Sequence, residues 1–308
     1  MKYIPGYIRL NESGELERRI ELLYSILESC ELCPRKCGVN RIEGEKGFCK
    51  AGKELKISSY FPHYGEEEPL VGSGGSGTIF LAYCNLRCVY CQNYDISHLG
   101  IGKEVSTSVV AGMMLELQKL GCHNINFVTP THYTPQLVEA IKIAADTGLR
   151  LPIVWNCGGY ENVETIRSLD GIVDIYMPDF KYSNEEVAEK YSKAPDYFER
   201  CKEAVTEMHR QVGDLKIENN IAYRGLLIRH LVLPNGLAGS EKILKFIANL
   251  SKDSYVNIMA QYRPEGDAYR YPELNRRPKR EEFFEVIRIA EELGLTRGLQ
   301  EKHLFWLI

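Results

Sequence analysis

Cys84, Cys88 and Cys91 are spaced C-x3-C-x2-C directly after the apolar run Thr78-Ile79-Phe80-Leu81-Ala82. A loop leaving a strand can aim three such sulfurs at one point. Cysteine thiolates are the usual ligands of iron–sulfur clusters, and a [4Fe-4S] cube has four irons. Three local thiolates therefore cover three irons and leave the fourth open to another molecule. The competing readings are a zinc knuckle and three cysteines buried without metal.

A second set, Cys30, Cys33, Cys37 and Cys49, is spaced C-x2-C-x3-C-x11-C, with Gly44 and Gly47 before its last member. The glycines supply the tight turns that return the fourth sulfur to the other three. Arg35 and Lys36 would offset thiolate charge. Zinc accepts four thiolates in a closed tetrahedral site. Three clustered cysteines and a distant fourth also suit an iron–sulfur cluster. The spacing leaves the two metals open.

The chain has 308 residues, 26% charged and 44% hydrophobic, which predicts a packed globular core. A net charge of −4 gives no basic excess for nucleic acid. The stretch from Met1 to Arg19 carries Pro5, Gly6 and several charges, so it does not read as a signal peptide. The uncharged run from Pro69 to Leu86 is interrupted by glycines and serines, so it is not a membrane span. Ten cysteines without a secretory signal point to metal ligation in a reducing cytoplasm.

The elements that must position these cysteines follow from periodicity. Leu16, Ile20, Leu23 and Leu27 predict a helix between Leu10 and Leu27. Beyond the strand at Thr78, helices and strands alternate. Strands are predicted at Ile125–Thr129, Pro152–Asn156, Ile172–Met177, Gly225–Leu233 and Tyr255–Tyr262. Helices are predicted at Val105–Leu120, Thr134–Thr147, from Val163, at Glu185–Gln211, at Ser240–Leu250 and at Lys279–Leu293. Six β/α units with short connections predict an α/β fold, a partial parallel barrel resembling a TIM barrel. Residues 1–71 form a small N-terminal helical and cysteine-rich metal-binding segment in this reading, and residues 72–308 form the barrel. Gly72-Ser73-Gly74-Gly75-Ser76-Gly77 matches G-x-G-x-x-G, yet it precedes a strand and opens no helix, so it is read as a flexible approach to the strand.

Reactive groups of parallel barrels sit at the C-terminal ends of strands. Those ends here carry Thr129-Pro130-Thr131-His132-Tyr133, Asn156-Cys157-Gly158-Gly159-Tyr160, Asp179-Phe180-Lys181, Arg229-His230 and Gln261-Tyr262-Arg263.

The cysteine motif, with the aromatic Tyr90 just before its third member, resembles the signature of the radical S-adenosylmethionine (radical SAM) enzymes. Nearly the whole chain, from the four-cysteine preface to Tyr271-Pro272-Glu273-Leu274-Asn275-Arg276-Arg277-Pro278, is similar to the branch named for its likeness to pyruvate formate-lyase activating enzyme. The resemblance implies a partial (β/α)6 barrel and a [4Fe-4S] cluster whose open iron is chelated by SAM. It implies reductive cleavage of SAM to a 5′-deoxyadenosyl radical that abstracts hydrogen from a protein glycine, a peptide or a small molecule. A flavodoxin or ferredoxin-type electron donor is implied as partner. Asn156 resembles the ribose-contacting position, and Asp179-Phe180-Lys181 resembles the Asp-x-Lys element whose lysine meets the SAM carboxylate, with Arg229 the next candidate. The usual Gly-Gly-Glu for the SAM amino group is replaced by Thr129-Pro130-Thr131-His132. This points to backbone carbonyls near Thr129, helped by the Thr131 or His132 side chain. The ferredoxin-like cysteines that activating enzymes often carry after the C-x3-C-x2-C loop are absent between Cys91 and Cys122.

Blander readings apply elsewhere. Cys122 and Cys201 are expected to be core residues, while Cys157 lies on the active face. His132 and His230 are read equally as structural or functional, and Tyr262 and Arg263 as possible lining of the substrate cavity. Glu66-Glu67-Glu68 is expected to be a solvated loop, and Phe305-Trp306-Leu307-Ile308 to pack on the barrel or on a second subunit. The alternative to a radical enzyme is a non-catalytic iron–sulfur electron carrier or metal-binding protein.

Overall fold

Short apolar runs rich in Val, Ile and Phe become strands only if both faces are covered, and the amphipathic segments between them supply the outer cover. A computed structural model, describing residues 3–299, has this arrangement; the segment Phe305 to Ile308 lies outside the described residues. The chain opens with helices α1 (Gly6–Glu12) and α2 (Glu15–Ser25). The single helix expected there is broken at Gly14, which adopts φ 77°. The cysteine-rich segment follows as irregular chain, then β1 (Leu55–His63), α3 (Glu68–Val71) and β2 (Ser76–Leu81). After α4 (Tyr94–Ser97) and β3 (Lys103–Val105) come α5 (Thr107–Lys119), β4 (Ile125–Val128), α6 (Thr134–Asp146) and β5 (Ile153–Cys157). Then α7 (Val163–Ser168), β6 (Ile175–Pro178), α8 (Glu185–Ser192) and α9 (Tyr197–Val212) follow. Last come β7 (Lys216–Glu218), β8 (Ile221–Leu231), α10 (Ser240–Leu250), β9 (Tyr255–Met259) and α11 (Arg280–Glu292).

Strands β2, β4, β5, β6, β8 and β9 pair in parallel in that order. The six units form a barrel whose sheet is not closed. Helix starts are set locally: Ser106 accepts from the Val109 N–H to cap α5, and Asn184 from the Val187 N–H to cap α8. The long helix expected at Glu185–Gln211 is two helices, because Lys193 takes a left-handed conformation at φ 50° and ends α8.

The register separates an outer from an inner row. Ile79, Phe127, Trp155 and Tyr176 align across four strands and pack beneath the helices. Thr78, Asn126, Val154 and Ile175 align one residue away. Val154 and Ile175 form an interior cluster with Met177, Leu227 and Leu70 of α3. Helix α3 thus plugs one end of the barrel and leaves the strand C-termini as the other, open end.

Two edge features were not legible in the periodicity. Strand β1 runs antiparallel to β2, and β3 antiparallel to β1. The glycine-rich stretch is a tight turn where a flexible approach was expected. A Cβ on Gly74 would stand 1.9 Å from the Gly121 carbonyl oxygen, so backbone meets backbone there. Among the described residues no helix is long and apolar enough to cross a membrane.

Candidate active site

The loop after β2 turns sharply twice, at Tyr83 (φ 73°) and Arg87 (φ 52°), and so brings Cys84, Cys88 and Cys91 to one cavity of about 420 Å³. Each sulfur meets a donor. The Leu86 N–H lies 3.3 Å from Cys84 Sγ, the Ser192 hydroxyl 3.0 Å from Cys88 Sγ and the Ser97 hydroxyl 3.1 Å from Cys91 Sγ. Donors aimed at sulfur suit thiolates or cluster-bound sulfur. Burial raises the thiol of Cys84 to about 12 and also raises that of Cys91; a bound metal's positive charge works the other way and deprotonates a coordinating thiol. Among the described residues no three His, Cys, Asp or Glu side chains are grouped as ligands of one metal ion. A cube places its thiolates on separate irons and does not require such a group. Tyr90 lines the cavity, edge-on to Tyr182 and Tyr262.

Across the cavity from these cysteines, the ends of β5, β6 and β8 carry a ladder of charge. Lys181 Nζ donates to Asp179 at 2.6 Å, and Arg229 Nε donates to the other oxygen of Asp179 at 2.7 Å. Arg229 also donates to Asn156 Oδ1 at 2.8 Å and to Glu66 Oε1 at 3.3 Å. Burial alone would raise the Asp179 carboxyl, but the Arg229 and Lys181 charges hold it below its usual range. Lys181 is raised: burial opposes its charge, and Asp179 and the nearby Cys88 outweigh burial. Asn156, Asp179, Lys181 and Arg229 therefore share one cavity with the cysteine motif.

Glu66 corrects the expectation of a solvated Glu66-Glu67-Glu68 loop. Its side chain is 9% exposed, and it also accepts from the amides of Asn126 and Asn156, at 2.9 and 3.4 Å. Glu67 is buried too and accepts from Asn257 at 2.6 Å. The signal in the sequence was the asparagines: Asn126 and Asn257 sit among apolar residues on inward-facing strand positions and need buried acceptors.

The segment standing in place of Gly-Gly-Glu is built by its backbone. Thr129 lines the cavity at φ 62°, a conformation β-branched residues avoid. Its N–H is held by the Asn156 carbonyl at 2.8 Å. The Thr131 and His132 side chains are buried and turn elsewhere. Thr131 donates to Glu161 at 2.7 Å, and His132 Nε2 lies 2.9 Å from the Ala82 carbonyl. His132 is held neutral by burial, at about 3. His230 is also kept out of the cavity, between the Phe180 carbonyl and the Ser240 hydroxyl, and burial lowers it to about 4. Of the last strand end, Gln261 lines the cavity; Tyr262 donates to the Leu274 carbonyl, and Arg263 pairs with Glu265.

Glu161, which sequence reasoning missed, is 1% exposed. Burial raises it to about 7, against hydrogen bonds from Thr131 and Cys157. Cys157 lines the cavity, whereas Cys122 and Cys201 are buried in the core. Gly159 allows this crowding. It adopts φ 79°, and a Cβ there would lie 2.3 Å from the Asp179 carbonyl oxygen.

Cys30, Cys33 and Cys49 are buried and Cys37 half-buried. A Cβ on Gly47 would come within 2.8 Å of Cys37 Sγ, so the return of the chain toward Cys49 needs glycine. Burial raises Cys33 and Cys49, and the charge of Arg41 lowers Cys49 against it. The segment is tied to the barrel by Arg35 and Arg41, the first reaching the Asn85 carbonyl and the second the His132 carbonyl.

Residues 78–222 match the family model described as the radical SAM superfamily. An uncharacterized protein, MJ0674, of Methanocaldococcus jannaschii is 37% identical over 287 residues, covering 91% of this chain and 79% of its own length. The pyruvate formate-lyase-activating enzyme of Clostridium pasteurianum is 24% identical over 191 residues, covering 59% of this chain and 71% of that enzyme. The solved structure of the radical SAM methyltransferase TsrM from Kitasatospora setae overlaps at a TM-score of 0.45 and 16% identity. That overlap covers 60% of this chain and 36% of TsrM, so this chain spans about a third of it. With the C-x3-C-x2-C loop seated at the open end of a six-unit partial barrel, the chain belongs to the radical SAM superfamily.

Proposed function

We propose that the protein cleaves SAM reductively at a [4Fe-4S] cluster held by Cys84, Cys88 and Cys91, and abstracts hydrogen from a substrate seated in the same cavity. The observation that carries this reading is the shared cavity, in which three donor-supported sulfurs face a lysine, an arginine and an asparagine on neighbouring strand ends. Bound there, cluster and SAM supply one-electron cleavage of the sulfonium and a reactive 5′ carbon. The protein's own part is to bind, orient and enclose. Lys181 meets the SAM carboxylate by leaving Asp179, which keeps Arg229 as its partner. Asn156 meets the ribose hydroxyls, and the backbone at Thr129 takes the amino group.

The substrate is a protein glycine, a peptide or a small molecule, and the electron donor a flavodoxin or ferredoxin type. The Clostridium pasteurianum relative supports the glycyl-radical version, and the lack of ferredoxin-like cysteines after Cys91 argues against it. Cys30, Cys33, Cys37 and Cys49 hold a second metal, zinc or an iron–sulfur cluster, supported by the burial of Cys30, Cys33 and Cys49 and by the Arg41 side chain beside Cys30. Among the described residues the sulfurs are not grouped about one ion, which favours the cluster. A non-catalytic electron carrier has no use for a polar cavity beyond its cluster. The deciding experiment is anaerobic reconstitution followed by reductant and SAM. Formation of 5′-deoxyadenosine and methionine is expected. Full iron loading without either product would overturn the proposal.

A further inference from the structure

Arg41 is 1% exposed, although a buried guanidinium is costly unless its charge is compensated. Its Nη1 donates to the His132 carbonyl at 2.7 Å and its Nη2 to the Gly52 carbonyl at 2.5 Å. Among the described residues it makes no ion pair with a carboxylate; its Nη1 lies 3.9 Å from Cys30 Sγ, and its charge also acts on Cys49. Arg35 repeats the pattern on the other side. It donates to the Asn85 carbonyl at 3.0 Å and to the Ser192 carbonyl at 2.7 Å, and lies 3.8 Å over the Phe48 ring. It too has no carboxylate partner among the described residues.

These contacts join two loops on adjacent strands. His132 belongs to the loop after β4, where Thr129 faces the cavity. Asn85 belongs to the cysteine loop after β2, and the Ser192 hydroxyl reaches Cys88. A [4Fe-4S] cluster in its oxidised diamagnetic state, with four thiolates on separate irons, carries a net double negative charge. That charge matches the two guanidinium groups.

We propose that metal at Cys30, Cys33, Cys37 and Cys49 sets the shape of the SAM pocket from outside, with Arg41 and Arg35 as the positioning residues. The metal-bound thiolates neutralise the arginines, and the arginines hold the β4 loop and the cysteine loop at a fixed separation. Metal at one site and SAM at the other are thereby coupled, although no side chain of the segment lines the SAM cavity. This rests on the reading that the four cysteines bind metal.

The test uses the full chain, reconstituted without air, with metal content, melting temperature and SAM affinity measured together. SAM affinity is read from the change SAM causes in the electron paramagnetic resonance signal of the reduced barrel cluster. Arg41→Gln should weaken SAM binding about tenfold with barrel iron unchanged, within the usual range of site-to-site coupling. Cys33→Ser with Cys49→Ser should remove the second metal and weaken SAM binding to a similar degree. Combining both changes should add little more, because they break one connection. Should Arg41→Gln fail to fold, the cysteine variant and Arg41→Lys, which keeps the charge, decide the matter. Loss of the second metal with unchanged SAM affinity overturns the coupling and leaves the metal reading standing. Absence of any metal from a Cys84, Cys88, Cys91 triple-alanine variant overturns the metal reading itself.

Discussion

The hydroxyl of Ser192 donates to Cys88 Sγ at 3.0 Å, across 104 residues of chain. Ser192 is the last residue of α8, which follows β6, so the far side of the barrel reaches back to the cysteine loop. Ser97 does the same for Cys91 from within the loop's own continuation.

Hydrogen bonds to cluster sulfurs tune reduction potential by stabilising the more negative, reduced state. Ser192→Ala and Ser97→Ala should each lower the potential of the barrel cluster while leaving its iron content unchanged. A redox titration followed by electron paramagnetic resonance checks this. Unchanged potentials in both variants would show that the two hydroxyls do not act on ligating sulfur.

Replacing Cys88 with Ala should remove the barrel cluster's iron and abolish 5′-deoxyadenosine formation. Iron analysis and product assay on the same preparation measure both. A Cys88→Ala protein that cleaves SAM at the wild-type rate would end the assignment.

Lys181→Ala tests the carboxylate partner. A charge-assisted hydrogen bond contributes roughly 1.5–3 kcal/mol, or about ten- to a hundredfold in affinity. SAM binding should weaken by that factor with iron unchanged. Equal affinities would mean that the Lys181–Asp179 pair serves the fold alone, and Arg229 would be the next candidate.

Glu66→Gln leaves Arg229 with one carboxylate where it had two, in a largely buried setting. Loss of a buried charge partner of this kind should cost roughly 3 kcal/mol in denaturant unfolding. The exposed neighbour Glu68→Gln should stay within about 0.5 kcal/mol of wild type. Equal stabilities of the two variants would return Glu66 to the role of a solvated residue.

Glu161 makes stability fall with rising pH. Its folded value is raised to about 7 from an ordinary 4.5, so the folded state holds a proton that the unfolded chain releases between those values. The contribution is fully present below about pH 4.5, shrinks as pH rises and is gone above about 7. The shift corresponds to stability on the order of 3 kcal/mol. Unfolding titrations of wild type and Glu161→Gln at pH 5 and pH 8 should show the variant gaining relative to wild type at the higher pH. Parallel pH profiles would mean that Glu161 titrates normally.

The spacing of Cys84, Cys88 and Cys91 and the alternation of strands and helices were legible because both are local. Neighbouring thiols share one loop, and periodicity is set within a few residues of each position. The six strands and their polar C-terminal ends followed, and with them the cavity positions of Asn156, Asp179, Lys181 and Arg229. Only the tertiary structure decided which of these side chains meet. Barrel formation placed Glu66 against Asn126 and Arg229, Ser192 against Cys88, and Arg41 beneath His132. It also turned Thr131, His132 and His230 away from the cavity, because a strand's pleat and the left-handed turn at Thr129 determine which face a residue presents. A buried charge is tolerated where its partners come together in space, and for Glu66 and Arg229 those partners lie 163 residues apart in the chain.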